Sequence, residues 1–146
     1  MVDDQCPLCS RDAEIVLWQD ADCRVLMTPQ AGYPGFCRVI WREHVREMTD
    51  LAVEQRAHLM TVVWAAEAAL RRVLMPAKIN LASLGNQVPH LHWHVIPRFS
   101  DDAHFPDAVW ATPRRAGVEH PVEREALSRE LRRLLSARNL ETQRLR

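Results

Sequence analysis

The rhythm of apolar and polar positions changes twice along the chain. In the first third, short apolar runs alternate with turn residues: Glu14 to Trp18, Cys23 to Met27 and Phe36 to Trp41, with Pro29, Gly32, Pro34 and Gly35 ahead of the last run. Runs this short, bounded by Gly and Pro, predict three strands and a hairpin-like loop. From Asp50 to Met75 the period lengthens, because Leu59, Val63, Ala66, Leu70 and Val73 recur at helical spacing while Glu54, Arg56, Glu67 and Arg71 fall elsewhere. Thr49 or Asp50 is the expected cap of that helix, and Pro76 closes it. Two further strands are predicted at Lys78 to Leu84 and Leu91 to Arg98, separated by Gly85-Asn86-Gln87 and Pro89. Residues 99–120 read as irregular. Beyond Pro121, Leu127, Leu131, Leu134 and Leu135 mark one face of a C-terminal helix whose arginines form a solvated face.

Composition changes this picture little. The 146 residues suit one domain spanning 1–146, with a core over about 6–98 and a C-terminal extension over 99–146, and such a length can bury a sizeable core without disulfides or metal. No internal repeat or long linker divides it. The formal net charge is zero, so no global field draws the protein to nucleic acid or an anionic membrane, and recognition of phosphate has to be local. No stretch approaches the roughly eighteen apolar residues of a membrane span, and the expected location is cytoplasmic. Of the four cysteines, Cys23 and Cys37 lie in apolar runs and read as small core residues. Cys6 and Cys9 form a Cys-x-x-Cys pair, which in a chain of this kind points to metal or redox use before structural disulfides.

The chemistry concentrates in Pro89-His90-Leu91-His92-Trp93-His94-Val95-Ile96-Pro97. Side chains alternate along a strand, so the imidazoles of His90, His92 and His94 share one face at roughly 6–7 Å spacing while Leu91, Trp93 and Val95 pack into the core. Packing alone is a poor reason for that pattern, since a buried imidazole needs hydrogen-bond partners and an apolar side chain does not. The residues leave two functional readings open. Alternating histidines can ligate a transition metal, although rings on a flat pleat converge poorly on one ion. An imidazole that is largely neutral at pH 7 is also a good nucleophile toward phosphorus.

The run His-Leu-His-Trp-His-Val-Ile resembles the His-x-His-x-His-x-x signature of the histidine triad family of nucleotidyl hydrolases and transferases, in its bacterial diadenosine polyphosphate hydrolase-like branch. The likeness covers roughly residues 6–98. Tyr33-Pro34-Gly35-Phe36-Cys37-Arg38-Val39-Ile40 resembles the family's Pro-Gly-His strand, and His44 matches the histidine after it. Asp50-Leu51 matches the start of the long helix, and Asn80, Gly85 and Val88 fall where the family has Asn, Gly and Val. Phe36 stands in place of a common His, Trp41 in place of a Pro, Thr28 near a ribose-binding Asp or Asn, and the segment from Asn80 to His90 is one residue short.

The resemblance implies an α+β fold with an antiparallel sheet of about five strands, one long helix and a C-terminal helix, paired in a homodimer. It implies that His92 attacks the α-phosphate of a dinucleoside polyphosphate or nucleoside phosphoramidate and forms a covalent nucleotidyl intermediate, its other ring nitrogen held protonated by a backbone carbonyl. It places His94 near the phosphate and leaving group and gives His90 a supporting role. Asn80, Asn86, Gln87 and Thr28 are the implied substrate-binding residues. Cys6, Cys9, His44 and His90 match a set that holds structural zinc in some members, a donor set chemically suited to tetrahedral Zn²⁺, and no organic cofactor is expected. Two rivals remain at this stage: a nucleotide-binding partner protein with little turnover, and a metal-dependent hydrolase built on the strand histidines. Tyr33, Phe36, Trp41, Phe105 and Trp110 are candidates to stack a base. His58, His104 and His120 carry no spacing that argues for chemistry.

Overall fold

A computed structural model describes residues 3, 5–11 and 13–144. Five strands form one antiparallel sheet: β1 (Val16–Gln19), β2 (Cys23–Met27), β3 (Cys37–Trp41), β4 (Lys78–Ala82) and β5 (His92–Arg98). Their order is β1-β2-β3-β5-β4, so the last strand is inserted between β3 and β4. Among the described residues three α-helices accompany the sheet: a single turn α1 (Pro7–Ser10), the long α2 (Val53–Leu74) and the C-terminal α3 (Arg124–Arg144). The α+β architecture expected from the sequence is the observed one.

One sheet face is covered by helices. Val25, Val39, Trp41, Leu91 and Val95 pack against Leu59, Val63, Ala66 and Leu70 of α2, and Leu127, Leu131 and Leu135 of α3 join the same cluster. Ser128 secures α3 by donating its hydroxyl to the Leu17 carbonyl of β1 at 2.6 Å. Burial accounts for the inert behaviour expected of Cys23 and Cys37, since it pushes both thiols up, Cys37 to about 12.

The ends of the elements differ from expectation in three places. Helix α2 begins at Val53 and is capped at Ala52, whose N–H donates to the Gln55 side chain at 2.8 Å. Asp50 instead closes a short 3₁₀ turn, Met48–Asp50, accepting the Glu47 N–H at 3.0 Å. A side-chain acceptor three residues into a helix can reach back to its start as well as a cap can reach forward, so Thr49 and Asp50 are dispensable for α2. Strand β5 begins at His92 and not Leu91, because the Leu91 N–H is taken by the Val45 carbonyl at 2.7 Å, outside the ladder. Strand β4 ends at Ala82, and the Ser83 hydroxyl donates to the His92 carbonyl at 2.8 Å.

Residues 99–120 are irregular but ordered around one carboxylate. Asp102, 2% exposed, accepts from Arg98 Nε at 2.8 Å and Nη2 at 3.0 Å, and from the backbone N–H groups of His104 and Phe105. The Tyr33 hydroxyl, which also contacts His104, joins this group. Gly117, at φ 78°, lies so close to the loop that a Cβ there would come within 2.9 Å of the Ala103 nitrogen. The turn therefore needs glycine on both steric and conformational grounds. In this way the segment is drawn onto the sheet face opposite α2, and it delivers Trp110 beside His94.

Burial alone would raise the Asp102 carboxyl, but Arg98 and the two N–H groups outweigh it and hold the pKa at about 2 against an ordinary 3.8. A folded-state value below the unfolded one contributes stability that is complete above the ordinary carboxylate pKa and is lost as pH falls toward 2. Asp102→Ala leaves Arg98 buried without its anion and should cost about 3 kcal/mol in urea unfolding at pH 7. The variant should also show a weaker fall in stability between pH 4 and 2 than the unmutated protein, measured over the same titration.

Candidate functional site

The site is built on the alternation of β5. Cross-strand partners on one face of a sheet lie together, and the register pairs His94 with Arg38 of β3 and Ala82 of β4, and His92 with Ile40. Trp93 and Val95 point into the helix-covered core, so His92 and His94 occupy the other face. Their ring centroids are 4.9 Å apart at 83°. His90 precedes the strand, and its ring joins a different group, 5.1 Å from the ring of His44. The three imidazoles thus divide into a pair facing a cavity and a single ring facing the N-terminal segment.

His92 is oriented by its own backbone. Its Nδ1 lies 2.6 Å from the His90 carbonyl oxygen, which can only accept, so Nδ1 carries the proton and Nε2 carries the lone pair. Burial lowers the pKa of His92 and the Arg38 charge lowers it further, against the opposing effect of that hydrogen bond. His94 is depressed to about 4 by burial first, then by His92 and Arg38. Both rings are therefore neutral at pH 7. The Nδ1 of His94 is buried with no hydrogen-bond partner among the described residues, while the residue itself borders the cavity.

A cavity of about 460 Å³ opens over this pair, bordered by Arg38, His92, His94, Asn86, Gln87 and Trp110. Asn86 and Gln87 are exposed at its rim, after Gly85. Trp110 meets the His94 ring edge-on at 5.3 Å between centroids, and it alone of the five aromatic candidates borders the cavity. Trp41 is buried among the α2 contacts, while Tyr33 and Phe36 pack on Ile96. The structure does not bring Asn80 or Thr28 to this cavity. Asn80 accepts at its amide oxygen from Arg98 Nη1 at 2.7 Å and borders a neighbouring groove of about 480 Å³ along β4. Thr28 sits at the end of β2, its N–H bound to the Phe36 carbonyl. Arg38 carries no role in the sequence reading and is recognisable only from the β3–β5 register, whereas Trp110, one of five aromatic candidates there, is singled out by the fold of residues 99–120.

The second group joins Cys6, Cys9, His44 and His90, whose ligand atoms all lie within 4.8 Å of one another. Cys6 Sγ to His90 Nδ1, Cys9 Sγ to His90 Nδ1 and Cys9 Sγ to His44 Nδ1 are each 3.5 Å. A tetrahedral ion with bonds of about 2.3 Å to sulfur and 2.0 Å to nitrogen has sulfur–nitrogen edges near 3.5 Å, so the donor set fits zinc. His90 is pre-set for that role, because its Nε2–H donates to the Trp41 carbonyl at 2.7 Å and leaves the Nδ1 lone pair toward the sulfurs. Buried Arg24 holds α1 in place, donating to the Leu8 carbonyl at 2.6 Å while paired with Glu14. Asp20, Cys23 and His58 also cluster, but Asp20 already accepts two turn N–H groups and pairs with His58.

A family model described as HIT domain matches residues 11–101. The chain belongs to the HIT domain family. Among solved structures, a histidine triad protein from Bradyrhizobium japonicum is 33% identical with a TM-score of 0.67, over 82% of this chain and 89% of that one. A histidine triad protein from Marinobacter aquaeolei is 28% identical with a TM-score of 0.66, over 85% and 90%. An AP-4-A phosphorylase of Mycobacterium tuberculosis is 32% identical over 78 residues, which is 49% of this chain and 40% of that protein. The HIT chain thus spans well under half the length of that curated relative. None of the described helices is long and apolar enough to cross a membrane.

The burial of this HIT site has a measurable consequence. In a proton NMR titration the ring resonances of His94 should stay constant from pH 7.5 to about 5 and move only toward pH 4, near the value at which it protonates. Movement centred at the ordinary imidazole value would show the ring to be solvated, contrary to the geometry.

Proposed function

We propose that the protein is a nucleotidyl hydrolase or transferase acting at the α-phosphate of a dinucleoside polyphosphate or a nucleoside phosphoramidate, with His92 as nucleophile. The observation that carries this reading is the bond from His92 Nδ1–H to the His90 carbonyl, which leaves Nε2 unprotonated in a ring that borders the cavity. Membership of the HIT family and the partial likeness to an AP-4-A phosphorylase support a nucleotide substrate.

In the first step the Nε2 lone pair forms a bond to the α-phosphorus, and the bond from phosphorus to the leaving atom breaks with its electron pair departing on that atom; a polyphosphate leaves as its anion, and an amine takes a proton from solvent water and leaves neutral. In the second, a water oxygen attacks the same phosphorus, the phosphorus–nitrogen bond breaks with its pair returning to Nε2, the water proton passes to solvent, and the nucleoside monophosphate is released. The carbonyl of His90 stabilises the ring charge that develops at Nδ1 throughout. His94 lies beside this ring at the cavity wall, where it can serve the phosphate or leaving atom. Asn86 and Gln87 supply amide donors at the rim. Thr28 and Asn80 contribute to binding less directly, Asn80 through Arg98.

Cys6, Cys9, His44 and His90 would hold a structural zinc ion, which ties α1 to the approach of β5 and supplies no step of the reaction. A zinc-bound histidine triad family protein from Mycobacterium smegmatis shares the fold. Thiolate ligands require reduction, which suits a cytoplasmic protein. A second copy of the chain would pair along the free edge of β4, where Leu81 is exposed and Trp64 of α2 lies half-exposed one turn from Glu67 in the neighbouring groove.

Turnover of a fluorogenic adenosine phosphoramidate tests the chemistry. His92→Ala should lose at least about 10³-fold in kcat, and rapid acid quench of the unmutated protein should trap a nucleotidyl adduct on His92. Binding without turnover in the unmutated protein would instead mark a nucleotide-binding partner. For the metal, purified protein should carry about one zinc per chain by elemental analysis, and Cys6→Ser should lose it along with several degrees of thermal stability. Metal-free, fully stable protein would sink that site.

A further inference from the structure

The catalytic face contains a cation without a counter-charge. Three arginines rise from the sheet on the side away from α2, and two of them are matched: Arg24 holds Glu14 at 2.6 Å, and Arg98 holds Asp102 at 2.8 Å. Arg38 is the exception. It is half-buried, its Nε is buried with no hydrogen-bond partner, and among the described residues no carboxylate forms an ion pair with it. A guanidinium withdrawn from water without an anion is costly, and a planar fork of donors matches the paired oxygens of a phosphate or a carboxylate. The cavity beside it is therefore an anion site before any ligand enters.

Its position says which anion. Arg38 pairs across the sheet with His94, while His92 pairs with Ile40 two residues along β3. A strand advances about 6.6 Å over two residues, so a phosphate aligned on His92 Nε2 leaves Arg38 to the group attached to it. In a phosphoanhydride that group is another phosphate, charged before and after cleavage; in a phosphoramidate it is an amine that departs neutral. We propose that Arg38 binds a non-transferred phosphate and selects substrates whose leaving group is a phosphate chain over those that release an amine. This rests on the assignment of the cavity as the nucleotide site.

The experiment compares kcat/KM for diadenosine tetraphosphate and for the fluorogenic adenosine phosphoramidate in the unmutated protein, Arg38→Gln and Arg38→Lys. Arg38→Gln should lower the polyphosphate value by about 100-fold and the phosphoramidate value by at least about tenfold less than that, and Arg38→Lys should recover part of the polyphosphate loss. Equal losses on both substrates, or none on the polyphosphate, overturn the assignment. A protein that turns over neither substrate refutes the proposed reaction but still tests Arg38 by calorimetry. In that case ATP should bind more tightly than AMP, and Arg38→Gln should abolish the preference; equal affinities in the unmutated protein reject the role of Arg38.

Discussion

The site depends on β5 being hydrogen-bonded along both edges, to β3 on one side and β4 on the other. A strand held on both sides has no freedom to slip, and because side chains alternate, any one-residue slip would exchange its two faces. Trp93 and Val95 anchor one face in the core, and that anchoring is what presents His92 and His94 on the other. Packing and chemistry are thus the two sides of a single pleat, and the energy that fixes the histidines comes from apolar residues that never meet a substrate.

Polar groups near this strand are held by backbone and by charge more than by solvent. His92 is oriented by the carbonyl two residues before it, and His90 by the carbonyl of Trp41 on the adjacent strand. Each bond selects a tautomer, because a carbonyl oxygen accepts only from a protonated nitrogen. The outcome is opposite for the two rings: His92 keeps its lone pair on Nε2 and His90 on Nδ1. Residues alike in sequence context therefore present their lone pairs in different directions, His92 on the ring that borders the cavity and His90 toward the sulfurs of Cys6 and Cys9.

Buried arginines organise the surroundings. Arg24 fixes the N-terminal turn that carries the cysteines, and Arg98 with Asp102 folds residues 99–120 so that Trp110 arrives beside His94. A charge taken out of water demands a partner in a defined direction, so each of these pairs acts as a locator for a segment that has little regular structure of its own. Arg38 is the exception, with no such partner among the described residues, and this is the ground on which a role in substrate choice is proposed for it.

Much of this was legible from the order of residues alone. The two-residue period from His90 to Ile96, the helical period from Leu59 to Val73 and the punctuation by Gly and Pro are local features, and they marked out the elements and the shared face of His92 and His94, while the α+β class followed from the family resemblance. The cap of α2 escaped that reading, since Gln55 and Asp50 could each serve and the choice rests on where the preceding turn lies. What the tertiary structure decided is everything that needs two distant segments in register. It set His90 apart with the cysteines, diverted Asn80 to Arg98, put Arg38 opposite His94 and brought Trp110 over the cavity. Periodicity is a property of neighbours along the chain, whereas these contacts follow from sheet order and buried charge, which only the packed molecule defines.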